Sequence, residues 1–151
     1  MDKTGLKKKI AGACIKIQQR TIENLQAELS EVKRTAEEIS CPVDRVDGGY
    51  QAQLLAKAEM FGKQLQKARQ ILDILNRVPV DEKSEKVDFG AVVITGKQKM
   101  FVSVSMGKID IDGETYYAIS PNVPVYNAMK GKRAGETFVF NGNRFRIVDI
   151  F

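Results

Sequence analysis

The chain has 151 residues, 43% of them hydrophobic and 28% charged, with 12 glycines and 4 prolines; such a composition belongs to an ordered globular protein of one average domain or two small ones. It contains no histidine, which excludes imidazole acid–base catalysis, hydrolytic triads and most catalytic zinc sites. The net charge of +5 is uneven, since residues 1–78 hold 14 Lys and Arg against 10 Asp and Glu, and residues 79–151 hold 10 against 9.

The chain opens on a basic stretch, Met1-Asp-Lys-Thr-Gly-Leu-Lys-Lys-Lys9, without the unbroken apolar core of a signal peptide. No run approaches the roughly 18 apolar residues of a membrane span. A cytoplasmic protein with no membrane partner is therefore expected. Next comes helical periodicity. Ile15, Ile22, Leu25, Leu29, Val32, Ala36 and Ile39 recur in steps of three, four and seven, and Gln18 interrupts the stripe. This is the seam of a helix packed along a partner helix. Its other side carries Lys7, Lys8, Lys9, Lys16, Arg20, Lys33 and Arg34, a basic face that is either simply solvated or meets RNA or an acidic protein wall. No aromatic residues interleave with it, as single-strand binders require.

Ser40-Cys-Pro-Val-Asp-Arg-Val-Asp-Gly-Gly49 breaks the pattern at Pro42 and again at the paired glycines. The rhythm resumes at Leu54, Ala58, Phe61, Leu65, Ala68, Leu72 and Leu75 and stops before Pro79. Two seams joined by a short connection predict an antiparallel helical hairpin. A first helix of about 33 residues would be roughly 50 Å long, so the hairpin is expected to project and display its tip. Cys14 and Cys41 lack metal-site spacing and would bridge opposite ends of one helix, so both are expected as reduced thiols, Cys14 near a packed face and Cys41 in a loop.

After a polar linker over residues 79–86 the periodicity changes to two. Strands are predicted at Val87–Thr95, Met100–Met106, Thr115–Ile119, Thr137–Phe140 and Arg144–Ile150. Thr95-Gly96-Lys97, Asp112-Gly113 and Asn141-Gly142-Asn143 mark turns. Pro124-Val-Tyr-Asn-Ala-Met-Lys130 fits one short helix, with Pro124 in its first turn and Gly131 past its end. The expected class is α+β: a helical hairpin over residues 1–78, then a small sheet domain with one helix over residues 87–151.

Ile119-Ser-Pro-Asn-Val-Pro-Val-Tyr-Asn-Ala-Met-Lys-Gly-Lys-Arg-Ala-Gly-Glu136 resembles the C-terminal domain of the GreA/GreB bacterial transcript-cleavage factors. Ile119 and Ser120 match its Ile-Ser, Val123-Pro124 stands for its Ser-Pro, Ala128 matches an alanine of its short helix, and Gly135-Glu136 stands for its Gly-Asp. Val87-Asp-Phe-Gly-Ala91 is similar to its opening strand, and the order of hairpin followed by sheet domain is also that of the family. The resemblance implies an FK506-binding-protein-like C-terminal fold and an accessory factor with no active site of its own. Its partner would be bacterial RNA polymerase, bound through the rim of the secondary channel at Ser120, Asn122 and Pro124. The tip would meet the 3′ end of the nascent RNA, and its acids would share a Mg2+ ion with the polymerase active site, so that the polymerase cleaves its own backtracked transcript.

The family tip resembles Asp-x-x-Glu-Asn-x-x-Tyr, and this chain reads Asp44-Arg-Val-Asp47-Gly-Gly-Tyr50. The resemblance makes Asp44 and Asp47 the metal-directed pair, with Arg45 and Tyr50 in support. Carboxylate oxygens suit a hard cation such as Mg2+. Asp47 in place of Glu reaches one methylene less, Gly48 replaces Asn, and Tyr50 stands one residue closer. Read without the resemblance, either aspartate also fits as the N-cap of the second helix, and Arg45 as a local counter-charge. Two other functions remain open: a channel-occupying regulator or inhibitor without cleavage activity, and a coiled-coil interaction module unrelated to polymerase. An intramolecular hairpin predicts a monomer.

Overall fold

The structure, a computed structural model, describes residues 3–39 and 48–151. Its elements are α1 (Lys3–Ile39), α2 (Gly48–Asn76), β1 (Val92–Thr95), β2 (Lys99–Val102), β3 (Gly107–Ile111), β4 (Glu114–Ile119), α3 (Pro124–Met129), β5 (Thr137–Phe140) and β6 (Asn143–Ile150). The expected α+β layout is present, with a pair of long helices followed by a mixed sheet and one short helix. Two compact units form. One takes in the chain up to Lys16 together with Asp73–Phe151, and the other is Ile17–Leu72.

Within Ile17–Leu72 the helices run antiparallel. Gln18 meets Ala68 near one end, and Ala36 lines a groove with Gln51 and Ala58 toward the other. Ile22, Leu65 and Ala68 form the buried cluster, with Leu25, Leu29 and Leu72 packed against it. These residues fall at the predicted heptad positions of both helices, because three- and four-residue steps keep one face toward the partner. The predicted interruption is itself part of the seam. Gln18 is buried, and its Nε2 donates to the Ala68 carbonyl at 2.9 Å. The buried line on α1 passes through Lys7, Ala11, Cys14 and Gln18 before reaching Ile22, whereas Ile15 is only half-buried.

In the other unit six strands follow the order β3-β4-β2-β1-β6-β5. All pairs are antiparallel except β2 with β4. Val93, Met100, Val102, Phe138, Phe145, Ile147 and Ile150 share a core with Tyr126 and Met129 of α3, so α3 covers that face. Strand side chains alternate between faces, and on the opposite face Val92 and Phe101 are also fully buried. The middle of the sheet is therefore enclosed on both sides. The first turns of α1 are tied to this unit by Lys3–Asp149 at 2.7 Å, Lys8–Asp81 at 2.9 Å and Lys9–Asp112 at 3.3 Å. Residues 79–86, expected as a linker, lie inside the same unit.

Two predicted strands are shorter and one was missed. Val87–Ala91 is not strand, because the chain turns at Gly90, whose φ is +88°. An added Cβ there would stand 2.9 Å from Pro79 Cδ, so this position takes glycine for both backbone and space. Strand β2 ends at Val102 and not at Met106. Since β4 pairs with β2 on one side and β3 on the other, the chain leaving β2 must cross to the far side of β4, and residues 103–106 make that crossing. Gly107–Ile111 then pairs with Glu114–Ile119 through the Asp112-Gly113 turn, both residues of which have positive φ. Asn141-Gly142 closes the β5–β6 hairpin in the same way. Such two-residue turns match the twist of the flanking strands.

Candidate functional site

Three of the tip residues expected from the sequence, Asp44, Arg45 and Asp47, lie outside the described residues, as does Cys41. The helices on either side are described. Tyr50 stands in the first turn of α2, 47% exposed. Lys33, Ala36 and Glu37 of α1 and Gln51, Leu55 and Ala58 of α2, which follow Tyr50 in the chain, line a groove of about 200 Å³. Leu55 is 57% exposed there. Among the described residues no group of three or more acidic or cysteine side chains is placed to hold a metal ion.

The second expected contact, Ser120 to Pro124, sits where β4 hands over to α3. The Asn122 N–H donates to Ser120 Oγ at 3.2 Å, and the Val123 N–H to the Ser120 carbonyl at 3.3 Å. Ser120 therefore builds the turn. Pro124 occupies the first position of α3, where a missing N–H costs nothing. Asn122 and Pro124 are exposed, and Val123 and Val125 pack inward against the sheet core. The turn thus presents two of the three predicted residues outward and uses the third to hold them.

The expected basic face of α1 is largely spent within the fold. Lys7 is 1% exposed, and its Nζ donates to the Glu82 carbonyl at 2.9 Å and to Ser84 Oγ at 3.4 Å. Burial holds its pKa below the usual lysine value, offset in part by the Glu82 charge. Lys8 and Lys9 are paired with Asp81 and Asp112, and Arg34 forms a two-oxygen contact with Glu31 at 2.7 Å. Lys7 falls on the buried side of α1 because it lies one helical step, four residues, before Ala11. Within Ile17–Leu72 the positive surplus belongs to α2, where Lys57, Lys63, Lys67 and Arg69 are exposed and Glu59 is the one acid. Counting charge helix by helix would have found this.

Two further features bear on chemistry. Cys14 is fully buried, and burial pushes its thiol up to about 12, so it is no nucleophile at neutral pH. A cleft of about 370 Å³ lies between residues 79–89 and Arg133. It is lined by Glu82, Lys83, Glu85, Lys86 and Asp88, with Arg133 3.8 Å from Glu85. Charges of both signs alternate around it and do not converge on one point.

No protein-family profile matches the chain, and no curated protein matches it. Among solved structures it is similar to the transcription factor Gfh1, at 19% identity over 91% of this chain and 93% of that one, with a TM-score of 0.38. It is also similar to GreA factor homolog 1 (Gfh1) of Thermus thermophilus, at 18% identity over 91% and 94%, with a TM-score of 0.34. At TM-scores below one half these likenesses assign no function.

Proposed function

We propose that the chain is an accessory elongation factor that binds bacterial RNA polymerase through the secondary channel and stimulates cleavage of backtracked RNA by the polymerase. The observation that carries this reading is a two-helix hairpin in heptad register whose connecting residues hold the acid pair Asp44 and Asp47. The hairpin is followed by a sheet unit whose Asn122-Val-Pro124 turn is held outward by Ser120. In the bound state Asp44 and Asp47 supply carboxylate oxygens toward the Mg2+ of the polymerase active site, and Arg45 and Tyr50 support the tip. The shared ion supplies Lewis-acid activation of water, while this chain contributes position and charge. Asn122 and Pro124 dock on the channel rim.

The tip sequence favours a second reading with the same binding mode. Aspartate at position 47 reaches one methylene less than glutamate, and a placement error near 1 Å costs about 10²-fold in rate. A factor that occupies the channel without promoting cleavage would then inhibit elongation. A backtracked elongation complex with 3′-labelled RNA separates the two. Release of short labelled fragments that is lost in Asp44→Ala/Asp47→Ala supports the cleavage factor. Slowed nucleotide addition that survives the double substitution supports the inhibitor. Absence of any binding to polymerase refutes both and leaves a coiled-coil interaction module.

A further inference from the structure

We propose that the open face and free edge of the β5–β6 hairpin bind an acidic, extended segment of a partner protein. Val139 and Val148 are 59% and 60% exposed, the most exposed large apolar residues among those described. They share one face with two arginines, because Val139 pairs directly with Arg144, and Arg146 and Val148 follow at alternate positions along β6. Phe138, Phe145 and Ile147 point to the other face, into the core under α3. Beyond Asp149, then, the side of the sheet on which Val92 and Phe101 are buried is left uncovered.

The charge on this patch is unanswered. Arg144 and Arg146 are exposed and have no carboxylate partner among the described residues. Asp149, brought to the same face by the register shift between its pairing with Ile94 and that of Ile147 with Thr95, is held by Lys3 at 2.7 Å. Guanidinium groups two residues apart along a strand are spaced by about 6.8 Å, the repeat of alternate side chains on another extended chain. Carboxylates at alternate positions would match them, with apolar residues further along that same face to cover the valines.

Strand β5 can supply the main-chain half of such a contact. It ends the sheet and has β6 as its single neighbour. In a two-residue hairpin the closing pair, here Phe140 and Asn143, exchanges both hydrogen bonds. Thr137 and Val139, at the non-bonded pairs, therefore turn their N–H and C=O groups toward the free edge. Edge strands are usually guarded by lysine, proline or an inward charge, and Thr137-Phe-Val-Phe140 has none of these. A second copy does not fit, since joining two β5 edges would gather four unpaired arginines. Nucleic acid would answer the arginines and leave the valines bare. This surface lies on the opposite side of the sheet from α3 and its preceding turn, so the inference stands apart from the polymerase reading.

The test is a titration of the isotope-labelled 151-residue chain with the synthetic peptide acetyl-Val-Thr-Glu-Thr-Glu-Thr-Val-amide, whose valines and glutamates share one face, followed by amide shifts. Saturable shifts confined to residues 137–148 are expected at up to about millimolar peptide. Arg144→Glu/Arg146→Glu should weaken binding by about tenfold or more. Val139→Thr/Val148→Thr, which keeps the charge, should also weaken it. The inference is overturned if no shift appears, if the lysine counterpart of the peptide binds as well, or if the arginine variant binds normally. Stronger competition by a single-stranded oligonucleotide for the same amides would overturn it in favour of a nucleic-acid surface.

Discussion

Replacing Gln18 tests what a buried polar residue does in a two-helix seam. Its Nε2 donates to the Ala68 carbonyl at 2.9 Å, and as a residue inside α2 that carbonyl also accepts the N–H four residues on, so losing Gln18 orphans no group. Gln18→Leu gives up a hydrogen bond worth about 0.5–1.5 kcal/mol net and gains about 1.5–3 kcal/mol from apolar burial at a site 6% exposed. The balance is a gain of about 1 kcal/mol. Gln18→Ala loses both contact and volume, a cost of about 2 kcal/mol. For a chain of this size the midpoint should rise by about 2–4 °C for leucine and fall by about 4–8 °C for alanine. Thermal unfolding followed by circular dichroism measures the shift, and hydrogen exchange at residues 65–72 locates it. Equal destabilisation by both substitutions would show that the amide contact outweighs burial and refute the accounting.

Gly90→Ala should cost more than Gly142→Ala. Both residues have positive φ, which costs a side chain about 1–2 kcal/mol, but a Cβ at Gly90 meets Pro79 Cδ at 2.9 Å whereas at Gly142 nothing lies within 4 Å; parallel melting curves give the difference. Ser103→Ala should raise stability by about 1 kcal/mol, because Ser103 Oγ is buried without a hydrogen-bond partner, and urea unfolding reads the gain. Cys14 should resist iodoacetamide in the native chain at pH 8 and react once unfolded, as peptide mass spectrometry will show. Its folded pKa of about 12 lies above the ordinary 9.0, so above pH 9 the unfolded state releases a proton that the folded state keeps. This group therefore removes up to about 1.4 kcal/mol of stability per pH unit from pH 9 upward, a slope that Cys14→Ala should abolish.

The hairpin was legible because three- and four-residue steps leave a signature that survives one polar exception. Its limit shows at the same exception. Periodicity sorts residues by polarity, so Gln18 was read as a break in the stripe and Lys7 was placed on the outer face, although each lies in line with the buried residues beside it. What decides such cases is whether the polar end finds a partner, and the Ala68 and Glu82 carbonyls are 50 and 75 residues away in sequence. The turns at Asp112-Gly113 and Asn141-Gly142 were readable from composition. Strand β3 was not, because the alternation in Lys108-Ile-Asp-Ile111 runs for only four residues, in an edge strand with one neighbour. Its best signal was the Asp112-Gly113 turn, which implies a strand on both sides. For the site, Ser120, Asn122 and Pro124 were found as a cluster, but their division of labour needed the hydrogen bond from Asn122 to Ser120.

Stability and placement make different demands on the hairpin. Its seam rests on a small cluster, Ile22, Leu65 and Ala68, flanked by Leu25, Leu29 and Leu72, while the sheet core has eleven buried residues. Leucine and alanine contacts repeat along both helices, so they distinguish poorly between registers shifted by one turn, about 5.4 Å. A polar residue in such a seam has one register in which its hydrogen bond is made. Gln18 marks that register through Ala68. Delivering the Asp44–Asp47 pair to a reaction centre, as proposed, tolerates errors nearer 1 Å. The substitution that strengthens the hairpin should therefore weaken its function: Gln18→Leu is expected to melt higher yet stimulate transcript cleavage less, and Gln18→Asn to lose stability as well. Unimpaired cleavage by the more stable variant would mean that the leucines alone fix the register.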